Sequence, residues 1–247
     1  MTKTYQILIE YVGTRYVGWQ KQKNGISVQE ILQKVLKKLT KKDIIIFGSG
    51  RTDAGVHAIE QSAHFKKNYK INNKLNFIKS LNYFLLDYDI SILNIIKRKN
   101  NFHSRHSAKK RMYKYIIINR QSSLSLEKNR AWYLRKKLNI SLMKKGSEIL
   151  KSIKDFSTFR ASSCSAKSPI KTLEKVSIKK NIDKIEITFV SKSFLQQQVR
   201  SMVGCLKYLG EEKWSLKKFK NVAHSKKRNN CAPPAPAYGL YLKKVKY

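Results

Sequence analysis

The chemistry-bearing residues of this chain concentrate in one irregular stretch, Gly48-Ser49-Gly50-Arg51-Thr52-Asp53-Ala54-Gly55-Val56-His57-Ala58. Three glycines let the backbone turn tightly and hold a carboxylate at an exposed, fixed place. An Asp beside an Arg on such a loop has two readings. It is an ordinary Asx turn with a surface ion pair, or an ionised nucleophile or base kept charged by nearby cations that lower its pKa. Other groups offer less. Arg105, Lys109, Lys110 and Arg111 form a basic cluster ahead of Tyr113, either a phosphate track or a solvated turn. His57, His64, His103 and His106 show no metal-ligand spacing on one helix. Cys164, Cys205 and Cys231 lie far apart without a C-x-x-C pair, which excludes a disulfide framework and argues against a cysteine-built zinc site. Neither a Gly-x-x-x-x-Gly-Lys phosphate cradle nor a dinucleotide fingerprint is present.

Composition bounds the partner. In 247 residues, 53 Lys and Arg stand against 15 acidic residues, a formal charge of +38. That charge implies a polyanion, most simply nucleic acid. However, 42 of the basic residues are Lys and only 11 are Arg, and Ile and Asn are abundant too. All three are encoded by A+T-rich codons, so drift in codon usage is the competing source of the Lys excess. The arginines are then the more informative cations, because a guanidinium is planar, bidentate and able to stack on bases. Hydrophobic residues make up 41%, with 13 Tyr, 10 Phe and 3 Trp, enough for a sizeable core and too many for a disordered basic tail. Apolar runs such as Ile44 to Phe47 are far short of a membrane span, and the first ten residues carry no signal pattern. A soluble, cytoplasmic protein is expected.

The elements that must position the loop follow from periodicity. Tyr5, Ile7, Ile9 and Tyr11 alternate as one side of a strand. Ser27-Val28-Gln29-Glu30 is a capping box opening a helix, whose inner face is Val28, Ile31, Leu32, Val35, Leu36 and Leu39. Ile44 to Phe47 reads as a buried strand and Ile59 to Phe65 as another. A helix over Asn73 to Phe84 and a strand over Ile90 to Ile96 complete the first half. In the second half, Met112 to Ile118 is β-rich. Ser141 to Ile153 is helical with Leu142, Ile149, Leu150 and Ile153 inward. Val176 to Ile178 and Ile185 to Val190 form a hairpin joined by Lys179 to Lys184. Phe194 to Leu209 and Trp214 to Val222 are helical, and Gly239 to Val245 is a closing strand. Trp19 and Trp214 are assigned to the core, and Cys164 to a buried position. The mixture predicts an α+β fold of two domains, residues 1–104 and 105–247, packed closely since no Pro/Gly/Ser linker separates them.

Gly50-Arg51-Thr52-Asp53-Ala54-Gly55-Val56-His57 resembles the active-site signature of the tRNA pseudouridine synthase A family. The resemblance runs along nearly the whole chain, in the family's order. It includes Tyr11-Val12-Gly13, Gly18-Trp19-Gln20-Lys21-Gln22 with Ser27-Val28-Gln29, and Phe102-His103-Ser104-Arg105-His106-Ser107-Ala108. Tyr113-Lys114-Tyr115, Phe156 to Ala161, Phe194 to Gly204 and Ala235 to Leu242 continue it. Departures are local: Val12 where the family often has Asp, Leu86-Asp87 where it has Leu-Pro, and a Gln196-Gln197-Gln198 run in place of basic and aromatic residues.

The resemblance implies the pseudouridine synthase fold, two similar domains with mostly antiparallel sheets flanked by helices and a catalytic cleft between them. It implies isomerisation of uridine to pseudouridine in the anticodon stem-loop of tRNA, at positions 38, 39 and 40 of the RNA. The N1–C1′ bond breaks, the uracil rotates, and C5 joins C1′, with no cofactor and no metal. Asp53 is then the essential carboxylate; attack on C1′, attack on C6 and proton abstraction are all open to it. Arg200 is the cation that pairs with Asp53, and Tyr113 stacks on the flipped uracil. Arg51 contacts the flipped nucleotide's backbone or fills its vacated place, and Arg105 belongs to the phosphate track. The family's habit further implies a homodimer with tRNA as partner, no membrane and no obligatory protein partner. The rival expectation is a non-catalytic RNA-binding protein or RNA chaperone descended from such an enzyme.

Overall fold

A computed structural model describes residues 2–68 and 70–247. In chain order the first half holds β1 (Lys3–Tyr11), α1 (Val28–Thr40), β2 (Phe47–Gly48), β3 (His57–Lys67), α2 (Lys74–Tyr83) and β4 (Ile90–Arg98). The second holds β5 (Lys110–Asn119), β6 (Trp132–Leu134), α3 (Ile140–Ser152), β7 (Leu173–Asn181), β8 (Lys184–Ser191), α4 (Gln198–Gly210), α5 (Leu216–His224) and β9 (Leu240–Lys246). This is the expected α+β class, with strands that pair mostly antiparallel and helices flanking them. Among the described residues no helix is long and apolar enough to cross a membrane. Two compact units result. One runs up to Lys109 and takes in Tyr241–Tyr247; the other is Lys110–Leu240. A linear division at 104/105 leaves the closing segment with the second half, whereas Tyr241 and Leu242 pair in parallel with His57 and Ala58 of β3.

In the first unit β1 is central, antiparallel to β3 on one edge and β4 on the other. Its alternation is as expected: Tyr5, Ile7, Ile9 and Tyr11 are all buried. Ser27 caps α1 by accepting the Glu30 amide at 3.2 Å, and the predicted stripe from Val28 to Leu36 is buried, with Leu39 half-exposed near the helix end. Asn82, at the end of α2, accepts from the Ile92 amide (2.7 Å) and donates to its carbonyl (3.0 Å), which ties the helix to β4. The expected buried strand at 44–47 is corrected. Only Phe47 and Gly48 join the ladder, opposite His64 and Ala63, and exposure alternates along the run. Ile44 and Ile46 face in, while Ile45 and Phe47 face out. A run of four apolar residues looks buried on both faces, but here one face has no layer above it.

In the second unit β8 lies between β5 and β7, antiparallel to both, and β6 adds to β5 in parallel. The hairpin is tighter than expected. Pairing runs to Asn181↔Lys184, leaving Ile182 and Asp183 as the turn, with Ile182 at φ 53°. The inward face of α3 is Met143, Gly146, Ser147 and Leu150, with Leu142 and Ile149 half-exposed. Apolar counting overlooked the small residues that make the contact: a Cβ on Gly146 would stand 2.6 Å from Leu209 Cδ2 of α4. Helix α4 begins at Gln198, not Phe194, because Gln197 is left-handed (φ 59°) and buried Gln198 turns its side chain back to accept the Leu195 amide at 2.8 Å. Trp19 and Cys164 are buried as expected, but Trp214 precedes α5 and is only half-buried, with its ring 5.1 Å from Tyr208.

Candidate active site

The Arg51-Thr52-Asp53 loop leaves the sheet at Gly48 and re-enters it at His57, so it has no ladder of its own. Its backbone polar groups must find partners elsewhere. The Ser49 amide still reaches the Ser62 carbonyl of β3 (2.7 Å), and buried Gln61 on the same strand accepts from Ser49 Oγ (2.8 Å) and donates to the Gly50 carbonyl (3.1 Å). The end of β1 and the segment after it supply others. Trp19 N–H donates to the Thr52 carbonyl (3.1 Å), and the Tyr11 hydroxyl lies 2.8 Å from Thr52 Oγ1. Gly55 N–H reaches the Tyr16 carbonyl at 3.3 Å, and Gly13 N–H donates to His57 Nδ1 at 2.9 Å.

Two glycines make this approach possible. Gly18 sits at φ +112°, and a Cβ there would stand 2.5 Å from the Thr52 carbonyl oxygen. Gly13 lies so close to the Val56 carbonyl that a Cβ would overlap it. Between these fixed points Asp53 opens a turn closed by Val56 N–H to its carbonyl (3.2 Å), with Gly55 at φ +77°. Thr52 is buried, Asp53 half-buried and Arg51 exposed. The result is a carboxylate and a guanidinium two residues apart on a rigid loop, each open to solvent. Tyr11, Gly13, Gly18, Trp19 and Gln61 carry no chemistry of their own, so reading by residue type passes over them; the glycine pair flanking Tyr16 was the available signal.

The other expected residues are braced separately. Arg105 is exposed in the first unit, its amide donating to His103 Nδ1 at 3.2 Å. Tyr113 and Arg200 belong to the second unit. Tyr113, on β5, is 8% exposed and meets the Phe194 ring edge-on at 5.1 Å. Arg200, on α4, is half-buried; its Nε donates to the Ala235 carbonyl at 2.7 Å, and the Ala235 amide donates back to the Arg200 carbonyl at 3.0 Å. Gly204 lets the Pro233 carbonyl sit against the same helix. Tyr115 holds the neighbouring segment, its hydroxyl donating to the Pro236 carbonyl at 2.8 Å, and burial pushes this phenol up so that it stays a donor. The basic cluster at 105–111 separates. Arg105 and Lys109 are exposed, Lys110 pairs with Glu174 at 2.5 Å, and Arg111 is buried with Nη1 on the Lys192 carbonyl. Arg111 is therefore no part of a solvated track.

The four histidines divide as well. His57 is buried at the start of β3, with Tyr241 at 4.7 Å. His64, His103 and His106 form a ring cluster, with His64 to His103 at 4.7 Å and His103 to His106 at 4.4 Å. Burial, and next the His103 charge, lower the His64 pKa to about 4; burial and then His106 lower that of His103. Both are neutral at pH 7. Among the described residues no three of His, Cys, Asp and Glu are grouped so as to hold a metal ion.

This geometry sets the stability of three variants. Gly18→Ala forces a strained backbone onto the Thr52 carbonyl and should cost about 1–3 kcal/mol. Tyr11→Phe removes one buried hydrogen bond and should cost about 1 kcal/mol. Urea unfolding of the two variants should rank them in that order. For His64, the folded pKa is depressed, so below about 6.5 the unfolded chain takes up a proton that the folded protein refuses until about pH 4. Stability therefore falls with pH through that window, by about 2 kcal/mol between pH 7 and 5 from this residue. The urea-derived loss over that interval should shrink by this amount in His64→Asn.

A family model described as tRNA pseudouridine synthase matches residues 7–112 and 153–247. Those segments contain Arg51, Asp53, Arg105 and Arg200, and Tyr113 falls one residue beyond the first. A protein of Pelagibacter ubique (strain HTCC1062) named tRNA pseudouridine synthase A is 62% identical over 243 residues, covering 98% of this chain and 99% of its own length. Proteins of the same name from Ehrlichia chaffeensis (strain ATCC CRL-10679 / Arkansas) and Ehrlichia ruminantium (strain Welgevonden) are 43% and 41% identical, over 98% of this chain and 99% of theirs. With the carboxylate loop, the segments that brace it and the Arg200 helix all inside the matched regions, the chain belongs to the tRNA pseudouridine synthase family.

Proposed function

We propose that this protein isomerises uridine to pseudouridine in the anticodon stem-loop of tRNA, at positions 38, 39 and/or 40, with Asp53 as the essential carboxylate. The observation that carries the reading is the loop itself: a half-exposed carboxylate on a clamped turn, within a chain that matches its named relatives from end to end. The reaction exchanges an N1–C1′ bond for a C5–C1′ bond, so it is redox-neutral and consumes no nucleotide. It needs a charged group held at the sugar–base junction, and a rigid loop supplies one without reorganisation in the transition state.

A uridine within a stem is out of reach until it is flipped, at roughly a few kcal/mol of lost stacking and pairing. Tyr113 is proposed to stack on the extruded uracil, which returns about 1–3 kcal/mol. Arg51, exposed beside Asp53, is proposed to take the flipped nucleotide's phosphate or its vacated place. Arg200 is proposed to serve as the cation that keeps Asp53 ionised. Arg105 is proposed to hold backbone phosphate. The protein is proposed to work in the cytoplasm as a homodimer, without cofactor or metal and with no further protein required. At +38 the subunits repel at low ionic strength, and bound RNA or counterions relieve this.

Asp53→Asn tests the assignment, since it keeps the side chain's shape and removes its charge. Pseudouridine formation should fall to background while the Kd for tRNA stays within about threefold, a difference under 1 kcal/mol. Equal loss of product and of binding would remove Asp53 from the chemistry. Full activity in the variant would do so outright.

A further inference from the structure

Strand β2 turns one aromatic ring outward immediately before the Asp53 loop. Phe47 is 45% exposed, although its inner face is well supported. It lies opposite His64 in the sheet register, and the two rings stack at 5.2 Å with a 25° interplanar angle. His103 meets both, at 5.7 Å from Phe47 and 4.7 Å from His64, and His106 extends the row outward at 4.4 Å. Buried Ser104 locks the arrangement. Its hydroxyl donates to the Phe47 carbonyl, and its amide donates to His64 Nδ1 at 3.2 Å. Behind it, the Tyr247 hydroxyl lies 2.9 Å from the Ser104 carbonyl.

Three properties define what this surface can take. It is aromatic: Phe47 stacks its inner face on His64, His103 and His106 flank it at tilted or edge-on angles, and the exposed face of Phe47 is the one a further planar group can continue. Its inner rings are uncharged at neutral pH in a protein of +38, since burial holds His64 and His103 below the usual histidine range. It is rimmed by exposed cations, Arg105 and Lys66. A neutral planar face with cations at its edge matches a nucleobase whose phosphates lie to either side, and it suits an unpaired base, whose faces are free. We propose that the exposed face of Phe47, flanked by His103 and His106, is a stacking platform for an unpaired nucleobase of the RNA substrate, next to the nucleotide handled by the Asp53 loop. The proposal rests on the RNA-modifying reading for its ligand, and assigns to Phe47 a positioning role that residue type alone does not reveal.

The test uses the full-length protein and an RNA stem-loop carrying 2-aminopurine at single unpaired positions. Wild-type protein should change the probe's fluorescence at one or two positions. Phe47→Leu, which keeps apolar bulk but removes the flat face, should abolish that change and raise Kd about tenfold. Phe47→Tyr should restore both. His103→Ala should weaken binding in the same direction, and near-UV and far-UV circular dichroism should confirm that each variant is folded. The platform is overturned if Phe47→Leu binds and reports like wild type, or if Phe47→Tyr fails to rescue a folded protein. Because the readout is binding, it separates from the reaction. Loss of stacking in Phe47→Leu supports the platform even where no pseudouridine forms, and a protein that makes pseudouridine with unchanged Phe47→Leu binding refutes the platform alone.

Discussion

The constraint behind the first unit is that a loop without ladder partners has to hold a carboxylate still. Beyond Ser49, whose amide still reaches the Ser62 carbonyl, the backbone from Gly50 to Val56 has left β2 and not yet joined β3, so its amides and carbonyls would default to water. The chain answers with the segment that follows β1. Gly13 and Gly18 lack the Cβ that would keep this segment off the loop, and Trp19 N–H and the Tyr11 hydroxyl grip Thr52 from two directions. Thr52 is thus the buried anchor, with exposed Arg51 and half-buried Asp53 on either side. The long apolar stripes of β1 and α1 matter to the chemistry chiefly because they fix where the 11–19 segment runs.

The second unit applies the same logic to Arg200. An arginine on a helix ordinarily sweeps a wide volume, since its side chain has many rotamers. Here the Ala235 carbonyl holds Nε, the Ala235 amide holds the helix backbone, and Gly204 lets that strand of chain lie flush against α4. Tyr115 in turn secures Pro236. Each unit thus fixes one charged side chain by backbone contacts of its own, which is the preorganisation the proposed roles of Asp53 and Arg200 call for. The large net positive charge is a separate feature, and many of the lysines that carry it are exposed.

How much of this was legible beforehand depends on the kind of signal. Residues with strong periodicity were placed well: the β1 alternation, the Ser27 cap and the α1 stripe all lie where the spacing puts them. Errors fell where tertiary context overrode local pattern. Ile44 to Phe47 looked like buried strand because sequence cannot show that one face lacks a covering layer. The α3 face was rotated because Gly146 and Ser147 pack as well as leucines when a neighbouring helix comes close. The α4 start was set too early because a left-handed Gln197 is invisible to hydrophobic spacing. For the site, the Arg51-Thr52-Asp53 loop stood out by residue type. The clamp did not, since it rests on a tyrosine hydroxyl, a backbone amide and two glycines whose contacts depend on where they stand.

The most direct measurement is pseudouridine formation in unmodified tRNA incubated with purified protein alone, without nucleotide, metal or redox cofactor, mapped by carbodiimide adducts and primer extension. Stops confined to the anticodon arm, at one or more of positions 38 to 40, are the expected result. Tight tRNA binding with no new stops would contradict the account and leave an RNA-binding protein in its place; stops only in another arm would contradict the assigned target.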